Sequence, residues 1–518
     1  MKIRFKMWSF NLFIFLIIAF SNFTYAQIES LKDLDSYIEN AREEWNIPGL
    51  AVALVKDGEV VYKKGFGVRE LNQNGQVDVN TVFSVASNTK AFTATAVGIL
   101  VQDGRLSWDD PIIKYIPNFQ MYDPEVTRKI TIRDFLSHKS GLGLWAGDLT
   151  WWDSNYDRDE VIYRMRYQKP VAELHEKYIY CNLGYLVVGE LVAKVSGMTY
   201  DEFIKKHFFD KLDMKRSLTT VSELPNMENV AVPHSSVDGK IMPISQLNVD
   251  NCAPAAAIVT SVNDLTHWVK LQLSNGMYNG KRLVEESIIE ETRKPHSIIN
   301  LSKWYKEKLN PVTNISAYGL GWRLYDFRGE FIVEHTGGLD GMLSYVGFMP
   351  EKNVGVIMTT NSDHHDLQNC LPKYLFDRLL DVEDNTDWSG KYLKINKANK
   401  KRREEEKKTA KESIKEIKTE PTLALEEYCG KYTSNVYGAA TVSMENNKLK
   451  VTLSAHPGFE GEISHLYYNT FTAKWNHRLW RESNMYFGFN GHGKIINFKM
   501  AVRPDWIDTL EYTFVKAE

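Results

Sequence analysis

Apolar residues recur at helical spacing from Leu31 to Trp45, and the chain then switches to an unbroken apolar run, Leu50 to Val55. Asp57-Gly58 marks a turn, and Val60 to Phe66 reads as a second strand. Helical and loop patterns fill the long middle stretch. Strand patterns return at Phe331 to Val333, Ser344 to Met349 and Val354 to Thr360, and a helix from Leu367 to Leu380 closes the region. Terminal strands around a helical middle predict an α+β domain over residues 27–382. Its single antiparallel sheet takes strands from both ends of the domain and is covered by helices.

Residues 383–424 read as a charged linker. Between Lys391 and Glu420 stand twelve Lys/Arg and six Asp/Glu, with no aromatic residue after Tyr392. So little apolar surface builds no core, which predicts a solvated, partly helical segment. Residues 425–518 carry short β-rich runs at Tyr428 to Tyr432, Ala439 to Met444, Lys448 to Leu453, Thr470 to Trp475, Met485 to Asn490, Ile495 to Met500 and Thr509 to Val515. The turn signals between them predict a small all-β barrel or sandwich.

The first residues change the picture of where the protein works. Lys2, Arg4 and Lys6 precede an apolar run from Phe10 to Phe20 and a small-residue cleavage site at Thr24-Tyr25-Ala26. Residues 1–26 therefore read as a signal peptide, and the mature chain is expected to be exported, periplasmic or secreted, with no stable membrane span after cleavage. A net charge of -3 gives no footprint for nucleic acid, and 43% hydrophobic residues suffice for a substantial core. Cys181, Cys252, Cys370 and Cys429 form no C-x-x-C pair and read as unpaired thiols. His364-His365-Asp366 lacks further ligands, and His-Glu-x-x-His is absent, so neither a metal nor a cofactor is expected. The sequence does not set the oligomeric state.

Candidate chemistry lies in three short motifs. Ser87-Asn88-Thr89-Lys90 opens an apolar helix, and the three-residue offset puts the Lys90 amine within reach of the Ser87 hydroxyl. A serine is a poor nucleophile until a base takes its proton, and lysine serves when burial lowers its pKa. Tyr180-Cys181-Asn182 precedes a second apolar helix. Tyr180, its pKa lowered by nearby positive charge, is a second proton handler, and Asn182 orients Lys90 or a substrate amide. Glu334-His335-Thr336-Gly337-Gly338 ends a predicted strand, where the glycines leave room for an extended substrate to pair along the edge. Trp145, Trp151 and Trp152 are read both as core anchors and as candidate lining of a substrate cleft.

Taken in this order, the motifs resemble the serine β-lactamase and penicillin-binding-protein superfamily, and within it the class C-like branch of serine hydrolases, D-aminopeptidases and esterases. Phe83 to Ser87 and Ile130 to Leu142 are similar to segments of that branch. Some members carry a C-terminal lipocalin-like domain, which suits residues 425–518. The resemblance implies Ser87 as nucleophile and Lys90 and Tyr180 as partners in proton transfer. It implies Asn182 as positioning group, and His335, Thr336 and Gly337 as the substrate-lining strand. The N–H groups of Ser87 and Gly338 would form the oxyanion hole. Two positions depart from the pattern. His335 stands where many members have lysine, and Pro254-Ala255-Ala256-Ala257 stands where members often carry Gly-Gly. The expected substrates are small amides, D-residue peptides or esters. β-Lactam hydrolysis or D,D-carboxypeptidase activity comes second, and a slow-acylating binding or sensor protein is the alternative from another class.

Overall fold

A computed structural model of the chain describes residues 31, 33–384, 386–503 and 508–517. The predicted signal peptide lies outside the described residues. Helix α1 (Leu34–Glu44) turns Leu34, Ile38 and Ala41 inward, the i, i+4, i+7 set of one helical face. It leads into β1 (Gly49–Lys56) and β2 (Glu59–Gly67). β1 shows no apolar–polar alternation because both of its faces are covered. Ala51, Ala53 and Val55 enter one core, while Leu50, Val52 and Leu54 enter another.

The helical middle contributes α2 (Thr89–Gln102), α3 (Leu183–Ser196) and α4 (Val262–Leu273). β3 (Ser297–Ile298), β4 (Ser316–Tyr318), β5 (Arg323–Phe327), β6 (Glu330–Leu339), β7 (Met342–Met349), β8 (Val354–Thr360) and α5 (Leu367–Leu379) follow. The eight strands form one sheet in the order β2-β1-β8-β7-β6-β5-β4-β3. β1, from the start of the domain, pairs antiparallel with β8 from its end, Leu50 opposite Thr360 through to Lys56 opposite Val354. α4 packs on β1, β7 and β8, and α1 and α5 share the core on the opposite face. The result is an α+β domain with helices on both sides of an antiparallel sheet.

The charged segment forms a single 29-residue helix, α6 (Trp388–Glu416). Its first turn is anchored: Asp387 caps the Gly390 N–H, and Trp388 Nε1 donates to Asp377 at 2.8 Å. Beyond it, no helix breaker intervenes. Opposite charges four residues apart, Lys401 with Glu405, Arg402 with Glu406 and Lys408 with Glu412, support the exposed turns. No helix among the described residues is long and apolar enough to cross a membrane.

The C-terminal domain is a closed antiparallel barrel of β9 (Gly430–Ser434), β10 (Gly438–Glu445), β11 (Lys448–Leu453), β12 (Glu460–Tyr467), β13 (Thr470–Trp475), β14 (Glu482–Phe489), β15 (Ile495–Met500) and β16 (Tyr512–Lys516). Each strand pairs with the next, and β9 with β16 closes the circle and removes the free edges. β12 has no counterpart among the runs read from the sequence. Of its two buried positions, Gly461 and Ile463, only one carries an apolar side chain, so the alternation is silent in sequence.

Candidate active site

Ser87 lies in a 3-10 turn, Ala86–Asn88, that feeds directly into α2. The turn is tied to the sheet. Ser344 Oγ on β7 donates to the Val85 carbonyl at 2.8 Å and accepts from Asn88 Nδ2 at 2.8 Å. Ala86 holds φ at 48°, a left-handed conformation that costs a residue with a side chain roughly 1–3 kcal/mol. The surrounding hydrogen bonds hold that backbone in place directly before the serine. Gly337 on β6 crosses the same turn so closely that a Cβ there would sit 2.0 Å from the Val85 carbonyl oxygen, which is why the position requires glycine.

Lys90, in the first turn of α2, is fully buried. Its Nζ is 3.0 Å from Ser87 Oγ, 2.7 Å from Asn182 Oδ1 and 2.9 Å from the Ala255 carbonyl oxygen. Burial pulls its pKa down to about 7, against the opposing pull of Cys252 and Asp148. The donor count then fixes the direction of the lone pair. Asn182 Oδ1 and the Ala255 carbonyl can only accept, so a neutral amine spends both N–H bonds on them. Its lone pair is left facing Ser87, the one partner of the three that can donate.

Asn182 is held from behind. It stands at the N-cap position of α3 without a side-chain capping bond, and its Nδ2 donates to Asp148 Oδ2 at 2.5 Å. Trp151 Nε1 donates to the other Asp148 oxygen at 2.9 Å. Asp148 has no solvent exposure, and burial raises its carboxyl to about 7.

Both Tyr180 and Ser87 line the cavity; Ser87 pulls the Tyr180 pKa down, and the Tyr180 ring lies 4.9 Å from Lys90 Nζ. The expectation of a lowered phenol pKa is corrected here. Burial pushes Tyr180 well above its ordinary value of 10, and the opposing pull of Ser87 does not offset it. Tyr180 therefore meets Ser87 as an intact phenol. His138 underlies it, with ring centroids 4.3 Å apart and with Nδ1 accepting the Cys181 N–H at 3.1 Å.

The third motif does not follow a strand but belongs to one. The sequence pattern ends the strand at Val333, whereas β6 runs to Leu339 because β7 pairs with it throughout, His335 opposite Val346 and Gly338 opposite Leu343. On the other side, β5 stops pairing at Arg323 opposite Glu334. Residues 335–339 thus have no strand partner on that side, and Thr336, Gly337 and Gly338 line a cavity of about 390 Å³ that also contains Ser87. His335 Nε2 lies 2.9 Å from the Tyr318 hydroxyl and Nδ1 lies 2.6 Å from the Thr336 carbonyl oxygen. Nδ1–H must donate to that carbonyl, so Nε2 accepts from Tyr318. Burial lowers the His335 pKa to about 3, and the ring is neutral near pH 7.

A family model described as Beta-lactamase matches residues 34–375. The chain belongs to the beta-lactamase family. Residues 415–514 match a domain of unknown function, DUF3471. Among relatives of this beta-lactamase-family chain, Protein flp of Staphylococcus aureus (strain MW2) is 28% identical over 337 residues, covering 64% of this chain and 63% of that protein. The chain thus spans less than two thirds of that relative's length. Unguisins hydrolase ungD of Aspergillus violaceofuscus (strain CBS 115571) is 26% identical over 386 residues, covering 70% of this chain and 67% of that protein. The fold is shared with the octameric penicillin-binding protein homologue from Pyrococcus abyssi, at a TM-score of 0.60 and 22% identity over 94% of this chain and all (100%) of that one. A class C beta-lactamase superposes at a TM-score of 0.56 with 20% identity, covering 70% of this chain and 98% of that one.

The beta-lactamase-family site uses groups that the motifs do not show. Asp148, the Ala255 carbonyl and His138 each touch a motif residue only through the fold. The Pro254-to-Ala257 segment was flagged in sequence as a departure, and it contributes both that carbonyl and Ala256, which lines the cavity. Trp145, Trp151 and Trp152 all line the cavity as well. Arg323 also lines the cavity, with its Nη1 3.9 Å from Glu334.

Proposed function

We propose that the chain is a serine hydrolase that acts through an acyl-Ser87 intermediate on small amides, D-residue peptides or esters. The observation that carries this reading is the three-point hold on Lys90 Nζ, which aims the amine lone pair at the Ser87 hydroxyl. Neutral Lys90 takes the Ser87 proton as Oγ attacks the substrate carbonyl. Tyr180 relays a proton from Lys90 to the leaving amine or alcohol, giving up its phenol proton as it takes the one from the lysine. Water then attacks the acyl-serine, its proton passing to neutral Lys90, and the acyl C–O bond to Ser87 breaks as that proton returns to Oγ. The N–H groups of Ser87 and Gly338 are proposed to bind the oxyanion, where one such donor is typically worth about 10²–10³ in rate. An extended substrate pairs along residues 335–339.

Neutral His335 supports the order of substrates. A ring with both nitrogens engaged offers no positive charge to the carboxylate of a β-lactam. One observation favours the second reading, β-lactam or C-terminal carboxylate recognition: Arg323 lines the same cavity. Glu334 opposes its charge, so amide and ester substrates remain first. A cephalosporin is expected to turn over more slowly than a D-alanyl amide or a simple ester, and faster cephalosporin turnover would reverse the order. Export of the mature protein is proposed on the charge and apolar pattern of residues 1–26.

The test is intact mass after exposure to a fluorophosphonate. One adduct on the wild type and none on Ser87→Ala is the expected result. No adduct on a folded wild type would overturn the hydrolase reading and leave the slow-acylating binding protein in its place. Tyr180→Phe is expected to lower kcat by about 10²–10⁴-fold with little change in KM, as for a missing proton handler. An unchanged kcat would remove Tyr180 from the mechanism.

A further inference from the structure

The barrel meets the first domain at the active site. Arg503, just beyond β15, places two guanidinium nitrogens on Asp340, at 3.1 and 2.9 Å, and both residues are buried. Asp340 sits in the turn between β6 and β7, directly after the unpaired 335–339 edge. The same carboxylate accepts Trp152 Nε1 at 3.0 Å, and the Arg503 guanidinium lies 5.6 Å from the Trp152 ring. His456 of the barrel lies with Nε2 3.1 Å from the Trp152 carbonyl oxygen and donates to it. The Asn155 N–H donates to the Ala455 carbonyl at 2.9 Å. Five residues before Trp152 on the loop, the Gly147 N–H donates to Asp508 at 2.8 Å. Gly147 is followed by Asp148, the residue that holds Asn182.

These contacts fall on two walls of one cleft. One wall is the 147–152 loop, with Asp148, Trp151 and Trp152. The other is the β6–β7 turn that ends the substrate edge. Each wall is fastened by a group that the first domain does not supply, Asp508 for the loop and Arg503 for the turn, and Trp152 and Asp340 join the two. A two-pronged guanidinium–carboxylate pair fixes direction as well as distance, and removing its cation leaves a buried carboxylate unpaired. A loop that must orient a catalytic amide to within a fraction of an ångström needs such outer support.

We infer that the C-terminal barrel, which matches a domain of unknown function, is a working part of the active site. It is a brace that holds the 147–152 loop and the Asp340 turn so that Asp148 can orient Asn182 on Lys90. Arg503 and Asp508 are positioning residues, and the inference rests on the hydrolase reading for what that positioning serves.

The test uses the full chain with three variants: Arg503→Gln, the double variant Asp340→Asn/Arg503→Gln, and Phe498→Leu as a control inside the barrel core, where its ring packs against Tyr432, Phe487 and Phe514 of the barrel itself. Amide hydrogen exchange of the peptide covering 145–152 and the fluorophosphonate labelling rate of Ser87 are read side by side. Arg503→Gln is expected to speed exchange of that peptide and to slow labelling, each at least about tenfold. The double variant, which leaves no unpaired carboxylate, should recover part of both. Phe498→Leu should lower Tm while leaving both readouts within about twofold. Exchange of 145–152 unchanged in Arg503→Gln would overturn the brace. So would a loss in Phe498→Leu equal to that in Arg503→Gln, since the barrel would then act only through overall stability. A wild type that takes no label but shows the expected exchange pattern would keep the brace and refute the hydrolase reading.

Discussion

Lys90→Met is expected to slow acylation of Ser87 by about 10⁴-fold, the upper end of what a lost proton handler costs. The size follows from the geometry. Tyr180 is held as a phenol by burial, His335 is neutral with both nitrogens occupied, and His138 has Nδ1 engaged by the Cys181 N–H. None of the three can readily take over a proton from Ser87. The same geometry sets the pH profile of the wild type. Lys90 works as a base only when neutral, and its pKa stands at about 7. kcat/KM for an ester should therefore rise about tenfold per pH unit below pH 7 and level off above it. Because Asp148 also stands at about 7 and is linked to Lys90 through Asn182, the midpoint belongs to the pair. Stopped-flow acylation of wild type and variant across pH 5–9 would check both statements. A Lys90→Met enzyme within tenfold of the wild type would move the role of base to Tyr180.

The second large effect is on stability. Lys90 titrates near 7 in the folded protein and near its ordinary value of 10.5 when unfolded. Between those values the unfolded chain binds a proton that the folded one does not, so stability rises with pH across that window. Below pH 7 both states hold the proton, and the cost of burying the charge is present in full. The expected slope from this one group is about 1.4 kcal/mol per pH unit. Lys90→Met lacks the group in both states. Urea unfolding at pH 8 and 9 should therefore show the wild type gaining about 1.4 kcal/mol relative to the variant. Contributions from the buried tyrosines are common to both proteins and drop out of the difference. Equal slopes would mean that the Lys90 amine keeps its proton, which would also contradict its role as base.

How much of this was legible in the chain depended on how local each signal is. The two-ended sheet could be read because β1, β7 and β8 are apolar runs of strand length. The contact between Ser87 and Lys90 could be read because helical spacing alone sets it. β6 was cut short because Gly337 and Gly338 carry no strand signal, and its continuation depends on pairing with β7. β12 was missed for the same reason, with Gly461 at one of its two buried positions. The charged segment was read as a linker because it has no core-forming face, yet pairs four residues apart and an anchored first turn carry it through as one helix. Asp148 and Arg503 could not be found from sequence. A buried carboxylate next to a tryptophan, and an arginine on a distant barrel, acquire meaning only when the fold brings them to Asn182 and Asp340. The direction of the Tyr180 shift was misjudged because sequence shows neighbouring charge but not burial, and burial dominates.

The pairing of β1 with β8 has a consequence for how the protein comes into being. Residues 50–56 find their partner only at 354–360, so the loop to be closed spans most of the domain, and such closures are slow and must precede the contacts that reward them. A growing chain cannot complete the sheet until almost the whole domain has left the ribosome. The Ser87 turn is fastened to Ser344 on β7, so the Ser87–Lys90 pair stays unassembled for the same interval. The Ser87–Lys90 contact is therefore completed only when the two ends of the domain meet, late in folding.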